Sequence, residues 1–242
     1  MSSEKFLEVT FMNMFSGKSI AVLTLVAGLG LSTAAKASPI TWTVWSPTTT
    51  SNTATGTLAL GVGGTNVTYS GELLGVQVGY PSWTPGSTFA GGSVDNGPAA
   101  TDNAVQMQGG VGGTETVTFS NAVLDPAFAI WSLGNSGGGG TFDFTPGETF
   151  TVQACGPSTE YGGGCIIKTG QVVSGNEGNG TIQFSGSFTS ITFTTPNQEY
   201  YYDFTVGAPS LAPTVPEPSS LALLGTGLIG VVAAGRRKFF KA

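Results

Sequence analysis

Apolar and polar residues alternate with a period of two along most of this chain. Thr116-Val117-Thr118-Phe119, Thr181-Ile182-Gln183-Phe184, Ile191-Thr192-Phe193-Thr194 and Asp203-Phe204-Thr205-Val206 each place every second side chain on one face. Successive side chains of a strand point to opposite sides, so this pattern predicts strands with one dry and one wet face. Further strands are predicted over 41–46, 55–60, 66–70, 73–78, 128–133, 141–144, 149–154 and 166–173. Between the two ends of the chain no segment repeats apolar residues at helical spacing. Turn signals separate the alternating segments: Gly61-Val62-Gly63-Gly64, Gly109-Gly110-Val111-Gly112-Gly113, the glycines 137–140 and Thr145-Pro146-Gly147. Many short strands divided by such turns predict an all-β body, two packed antiparallel sheets in a jelly-roll-like β-sandwich. A β-helix would need a stricter repeat than these segments show.

The pattern changes at both ends. Residues 20–31 are an apolar run preceded by Lys18 and followed by Ala35-Lys36-Ala37, the small residues that signal peptidase accepts at its cleavage site. The N-terminal segment 1–37 therefore reads as a signal peptide, with Ser38 first in the exported protein. Glu4 and Glu8 do not suit a positively charged leader, which favours translation from Met12 or Met14. At the other end, Val215-Pro216-Glu217-Pro218-Ser219-Ser220 precedes an uncharged stretch from Leu221 to Gly235 and then Arg236-Arg237-Lys238. That stretch is slightly short of the roughly 20 residues a bilayer core asks of a helix, and Phe239 and Phe240 extend its reach. The basic cluster should stay cytoplasmic and leave everything before it outside. The expected organisation is a leader at 1–37, an exported domain at 38–208, a Pro-rich linker at 209–220, a single transmembrane helix at 221–235 and a basic tail at 236–242.

This tail resembles the PEP-CTERM sorting signal of exported bacterial proteins, which an exosortase handles. The resemblance implies processing near Pro216-Glu217-Pro218, with Val215 to Ser219 as the sorting motif and Arg236, Arg237 and Lys238 as the stop. The helix would then be a transient inner-membrane anchor that the mature protein loses. The same tail is sometimes labelled an ice-binding protein C-terminal domain, a label that says nothing about ice. The body in turn is similar to a family of exosortase-dependent surface proteins in 39–45 (Pro-Ile-Thr-Trp-Thr-Val-Trp), Asp95-Asn96-Gly97-Pro98, 142–146 (Phe-Asp-Phe-Thr-Pro) and 179–186. That likeness carries no catalytic residues with it.

Charge narrows the function further. Of 8 Lys and Arg in 242 residues, all but Lys168 lie in the targeting ends. Phosphate neutralisation needs clustered cations, so nucleic acid is excluded as a partner. Thr, Ser, Gly and Asn supply the polarity instead, while four Trp and fifteen Phe supply enough apolar surface for a core.

Candidate chemistry is sparse. Cys155 and Cys165 flank a Gly-rich segment, and in an oxidising compartment they should close a loop as a disulfide. No His is present, so a metal site or a Ser-His nucleophile has no base or ligand of that type. Gly134-Asn135-Ser136-Gly137-Gly138 matches the nucleophile-elbow pattern but reads as a hairpin loop, and Gly17-Lys18-Ser19 is a chance echo of a phosphate loop within the leader. Paired carboxylates such as Asp143 with Glu148, or Asp125, are all a glycosidase strictly needs, yet each reads better as a turn or wet-face residue. Asp95 and Asp102 form a weak Ca²⁺ candidate, since turn chemistry explains them as well. Trp42, Trp45 and Trp83, with Tyr80 and Tyr200 to Tyr202, are candidates for sugar stacking, against a default of core packing. Thr-x-Thr pairs are too few for an ice-binding face. No cofactor is expected. The residues predict a non-enzymatic surface or exopolysaccharide-matrix protein whose partners are signal peptidase, exosortase and the membrane. A carbohydrate-binding module for extracellular polysaccharide, or a carboxylate-based glycoside hydrolase, are the alternatives.

Overall fold

A computed structural model describes residues 37–50, 52–135, 139–199 and 201–213. The predicted leader with Ala35, the sorting motif from Val215 to Ser219, the apolar segment 221–235 and Arg236 to Lys238 lie outside the described residues. In chain order the strands are β1 (Thr41–Trp42), β2 (Val44–Thr50), β3 (Thr53–Leu58), β4 (Thr65–Ser70) and β5 (Gly75–Gln77). After one helical turn, α1 (Gly86–Phe89), follow β6 (Ala104–Met107), β7 (Val111–Leu124), β8 (Ala127–Leu133), β9 (Thr141–Phe144) and β10 (Phe150–Cys155). The remainder are β11 (Gly164–Cys165), β12 (Ile167–Thr169), β13 (Val172–Ser174), β14 (Gly178–Phe184), β15 (Ser187–Thr195), β16 (Tyr202–Ala208) and β17 (Ser210–Leu211).

They build two sheets. One runs β10-β14-β8-β16-β6-β5, with β1 added along β16 and the parallel β11 along β14. The other runs β12-β13-β9-β15-β7-β4-β3-β2, with β17 added along β7. From β7 to β10, and again from β14 to β17, consecutive strands alternate between the sheets. The two sheets share a core of aromatic rings. Phe128 of β8 meets Phe144 of β9 and Phe193 of β15 at 5.7 and 6.1 Å, and Tyr69 of β4 meets Phe204 of β16 at 5.4 Å. Edge-to-face pairs such as these add to the area each ring removes from water.

The nine-stranded sheet shows the alternation the sequence predicted: β4 reads buried, exposed, buried along Thr65–Tyr69. The eight-stranded sheet differs. β8, β14 and β16 are buried at every residue, because a second layer covers their outer face. The layer comprises residues 78–103, including α1, and the loop between β10 and β11. A second core lies beneath it, made of Ile40, Trp42, Trp83, Phe89, Val94, Ala104, Ala127, Ala129 and Trp131. Polar positions that alternation assigns to water are satisfied by this layer instead. Thr181 donates to the Phe89 carbonyl at 2.8 Å, and the Ser93 hydroxyl donates to Gln183 Oε1.

The expected linker begins later than 209. Ser210 and Leu211 pair with Leu124 and Val123 of β7, and the Ala212 amide donates to the Ala122 carbonyl at 2.8 Å.

Candidate functional site

On the outer face of the eight-stranded sheet Trp131 is fully buried, and three tyrosines surround it. Tyr80 meets it edge-on at 5.0 Å, Tyr161 at a tilt at 5.3 Å, and Tyr201 lies within 20° of parallel at 6.4 Å. Tyr161 is 51 % exposed, and Tyr80 and Tyr201 are half-buried. The Tyr161 and Tyr201 hydroxyls share a hydrogen bond of 2.7 Å at the surface. The bond to Tyr161, then burial, raises the Tyr201 hydroxyl to about 12. Burial and the Tyr161 hydroxyl push Tyr80 up as well. Both shifts favour the neutral phenol.

Glu160 ties this cluster to its surroundings. Its Oε1 accepts the Ser82 amide at 3.0 Å and also the Ser82 hydroxyl, and its Oε2 accepts Trp131 Nε1 at 3.3 Å. Burial opposes its charge, but bonds from the Ser82 hydroxyl, backbone amides and Trp131 outweigh burial and hold the carboxyl below its usual range. The loop that delivers Glu160 and Tyr161 is closed by the Cys155–Cys165 disulfide, with Cα atoms 4.7 Å apart. Within it Gly163 has φ +72°, and a Cβ there would overlap the Glu177 carbonyl oxygen, so glycine alone fits the turn. The Thr159 amide donates to the Thr84 carbonyl at 2.8 Å and the Thr88 hydroxyl to the Pro157 carbonyl at 2.7 Å, clasping the loop to the covering layer. Asp203 lies opposite Trp131 in the β16–β8 register, fully buried and without a hydrogen-bond partner. Burial raises its carboxyl well above the usual range, which favours the protonated form.

The sequence candidates fall elsewhere. Trp42, Trp45 and Trp83 are 7, 1 and 1 % exposed, so none presents a ring face to solvent, and the expectation that they stack on sugar is corrected. Each is a core ring with its indole N–H satisfied, by the Asn96 carbonyl, the Thr205 hydroxyl and the Asp102 carbonyl respectively. Period-two spacing put Trp42 and Trp45 on opposite faces of one strand, but β1 and β2 belong to different sheets, and both faces are covered. Asp95 and Asp102 take structural roles. The Asp95 amide donates to the Ser38 carbonyl at 3.2 Å, and Asp102 Oδ2 accepts the Ala99 amide at 2.7 Å, closing a turn. Among the described residues no three His, Cys, Asp or Glu side chains cluster as metal ligands do. Asn96 between them is the organiser: its side chain accepts from the Ile40 amide at 2.7 Å and donates to the Ile40 carbonyl at 3.0 Å. Two of the segments that carry the body's family likeness, 39–45 and 95–98, thus bind each other. Ala37 and Ser38 lie beside them, Ser38 bridging to Val94.

Gly134 sits at φ +76°, where a Cβ would overlap the Gly175 carbonyl oxygen, a tight backbone crossing that accounts for this glycine without a nucleophile. Asp125 Oδ1 accepts the Gly186 amide at 2.7 Å as a turn former. Asp143 points to solvent from β9, and burial raises the half-buried Glu148 to about 6.

One carboxylate pair that single-residue reading missed does meet at a groove of about 520 Å³, lined by Glu72 and Glu115 with Asn52, Ser70 and Gly113. Both Glu72 oxygens accept the Gln108 amide, at 3.1 and 2.9 Å, and Oε2 also accepts that of Gly109 at 3.1 Å. Burial raises Glu115 to about 7, against the hydrogen bond from Thr195 and with the Glu72 charge adding to the rise. A raised acid beside a second carboxylate is the outline of a glycosidase site. Yet Glu115 is only 2 % exposed and its Oε1 accepts the Thr195 hydroxyl at 2.6 Å, so its carboxyl is sealed from the groove.

Past Pro213 the chain is matched by a family model, described as a PEP-CTERM protein-sorting motif, over residues 214–238. The chain carries a PEP-CTERM sorting motif. The match takes in the Val-Pro-Glu-Pro-Ser segment, the apolar stretch and the Arg-Arg-Lys cluster. A PEP-CTERM motif implies export, passage through the membrane and processing by an exosortase. No curated protein and no solved structure matches the chain.

Proposed function

We propose that this is a non-enzymatic protein of the bacterial cell surface or exopolysaccharide matrix. It is exported with a cleavable leader ending at Ala37 and held briefly by a helix at 221–235. An exosortase then processes it near Pro216-Glu217-Pro218. The observation that carries this reading is the PEP-CTERM motif at 214–238. The bonded Cys155–Cys165 pair suits an oxidising compartment, and a body with one Lys suits no nucleic-acid role. The described strands end at Leu211, four residues before Val215 in the sequence.

The hydrolase reading loses support from the sealing of Glu115. The carbohydrate-binding reading loses its tryptophans and gains the tyrosines around Trp131. Intact mass spectrometry of the protein released from its native surface, with and without the exosortase, tests the sorting reading. An exosortase-dependent mass ending near Pro216 to Pro218 is expected. A mass retaining Leu221 to Ala242 in both strains would overturn it.

A further inference from the structure

We propose that Tyr80, Tyr161 and Tyr201 form an open platform that binds an uncharged saccharide chain, with the Cys155–Cys165 loop as the clamp that assembles it. The inference deepens the surface-protein reading by naming a ligand class, but it uses none of the sorting steps. It starts from burial. Trp131 is fully enclosed, so the sheet beneath needs no further cover, yet Tyr161 stands 51 % exposed on top of it. A half-exposed ring fixed by a second ring at 5.3 Å and by a hydroxyl contact at 2.7 Å loses little freedom on meeting a ligand.

The chemistry of the patch selects the ligand. Aromatic faces cover the C–H faces of a sugar ring while phenol hydroxyls bond its hydroxyls, and tyrosine supplies both at low entropic cost. Tyr80 and Tyr201, raised by burial and by the Tyr161 hydroxyl, offer neutral donors. Glu160, the carboxylate bonded to the cluster, has oxygens already engaged by Ser82 and Trp131. No Lys or Arg lies in the body except Lys168, whose ammonium is over the Phe150 ring and bonded to the Gly170 carbonyl. An anionic polymer would meet Glu160 with nothing to neutralise it. A neutral polymer meets rings and hydroxyls.

Assembly depends on the crosslink. Tyr80 comes from the covering layer, Trp131 from β8, Tyr201 from the entry to β16, and Glu160 and Tyr161 from a loop that is Gly-rich on its C-terminal side. The disulfide restricts that loop to a short circuit and so holds Tyr161 over Trp131.

The test uses the full chain in a polyoxyethylene detergent, which has no sugar headgroup, run on native gels containing laminarin, dextran, hydroxyethyl cellulose or alginate. Retardation by at least one of the three neutral polymers, and none by alginate, is expected. Tyr161→Ala and Tyr201→Ala should each raise the apparent Kd about tenfold or more, as loss of an anchoring ring does. Tyr161→Phe should keep most of the binding. A readout that needs no variant is nitration of the unaltered protein by tetranitromethane, followed by peptide mass mapping. The retarding polymer should protect Tyr161 several-fold, and reduction of the disulfide should remove both protection and retardation. The proposal is overturned if no neutral polymer retards the chain, if alginate alone does, or if Tyr161 nitrates equally with and without polymer. It is also overturned if the alanine variants abolish only a concentration-dependent self-association seen by sedimentation, which would make the rings an interface between copies.

Discussion

Replacing Glu115 by Gln should remove part of the pH dependence of stability. The Glu115 carboxyl keeps one oxygen on the Thr195 hydroxyl at 2.6 Å, and its other oxygen is buried without a partner. Burial lifts its pKa from 4.5 to about 7, so the folded state holds the proton more tightly than the unfolded chain. Between those two values the native state binds more protons than the unfolded state, and stability falls as pH rises. The Glu115 contribution is complete below the lower value and lost above the upper one. A shift of that size corresponds to about 3 kcal/mol. Such a loss is a substantial part of the roughly 5–15 kcal/mol that holds a domain together. Gln keeps the acceptor for Thr195 and cannot ionise. The assay is guanidinium unfolding of the full chain, read by the fluorescence of Trp42, Trp45, Trp83 and Trp131, all of them buried. At about pH 4.5 Glu115→Gln should match the parent closely, and at about pH 8 it should be more stable by about 3 kcal/mol. The variant will still lose stability over this range through Glu199, which burial also raises to about 7. A difference between variant and parent that is the same at both pH values would refute the reasoning, since the carboxyl would then not titrate in the window burial assigns.

Three further outcomes are expected. Reducing the disulfide, or Cys155→Ser, should lower stability by about 2–3 kcal/mol in the same unfolding assay, because the crosslink closes a short loop. Gly163→Ala should cost at least about 1–3 kcal/mol, since φ there is +72° and the new methyl meets the Glu177 carbonyl; a neutral effect would mean the loop is free to move. Trp45→Ala should cost about 3–5 kcal/mol through its cavity and the lost 3.0 Å bond to Thr205, while polymer retardation stays unchanged in gels run on the folded variant.

The elements read from alternation mostly appear where expected, with extents that tertiary pairing adjusts. Thr116 to Phe119 alone shows the pattern, but β7 runs over Val111–Leu124 because β4, β15 and β17 all pair along it. Residues 166–173 read as one strand and fold as the hairpin of β12 and β13 around Gly170, at φ +63°. Alternation does not mark β6, Ala104–Met107: three of its four side chains are buried and Gln106 is half-buried, so no wet face shows in the sequence. The same applies to the wet faces assigned to β14 and β16, since a period of two says which residues share a face and nothing about what later covers it.

The sequence by itself determined the strand-rich body, the crosslink and the sorting tail. These depend on contiguous residues: alternation belongs to one strand, a cysteine pair ten residues apart closes locally, and a sorting motif is read as a linear peptide. Tertiary structure alone decided that Trp42, Trp45 and Trp83 are core and that Tyr161 is surface. It also decided that Glu72 and Glu115 share a groove and that residues 80, 131, 160, 161 and 201 meet. Those groups are separated by tens of residues, and what joins them is the pairing of β8 with β16, the covering layer and the closed loop. Each arises from burying one face against another, an energy that depends on the assembled chain and has no local trace.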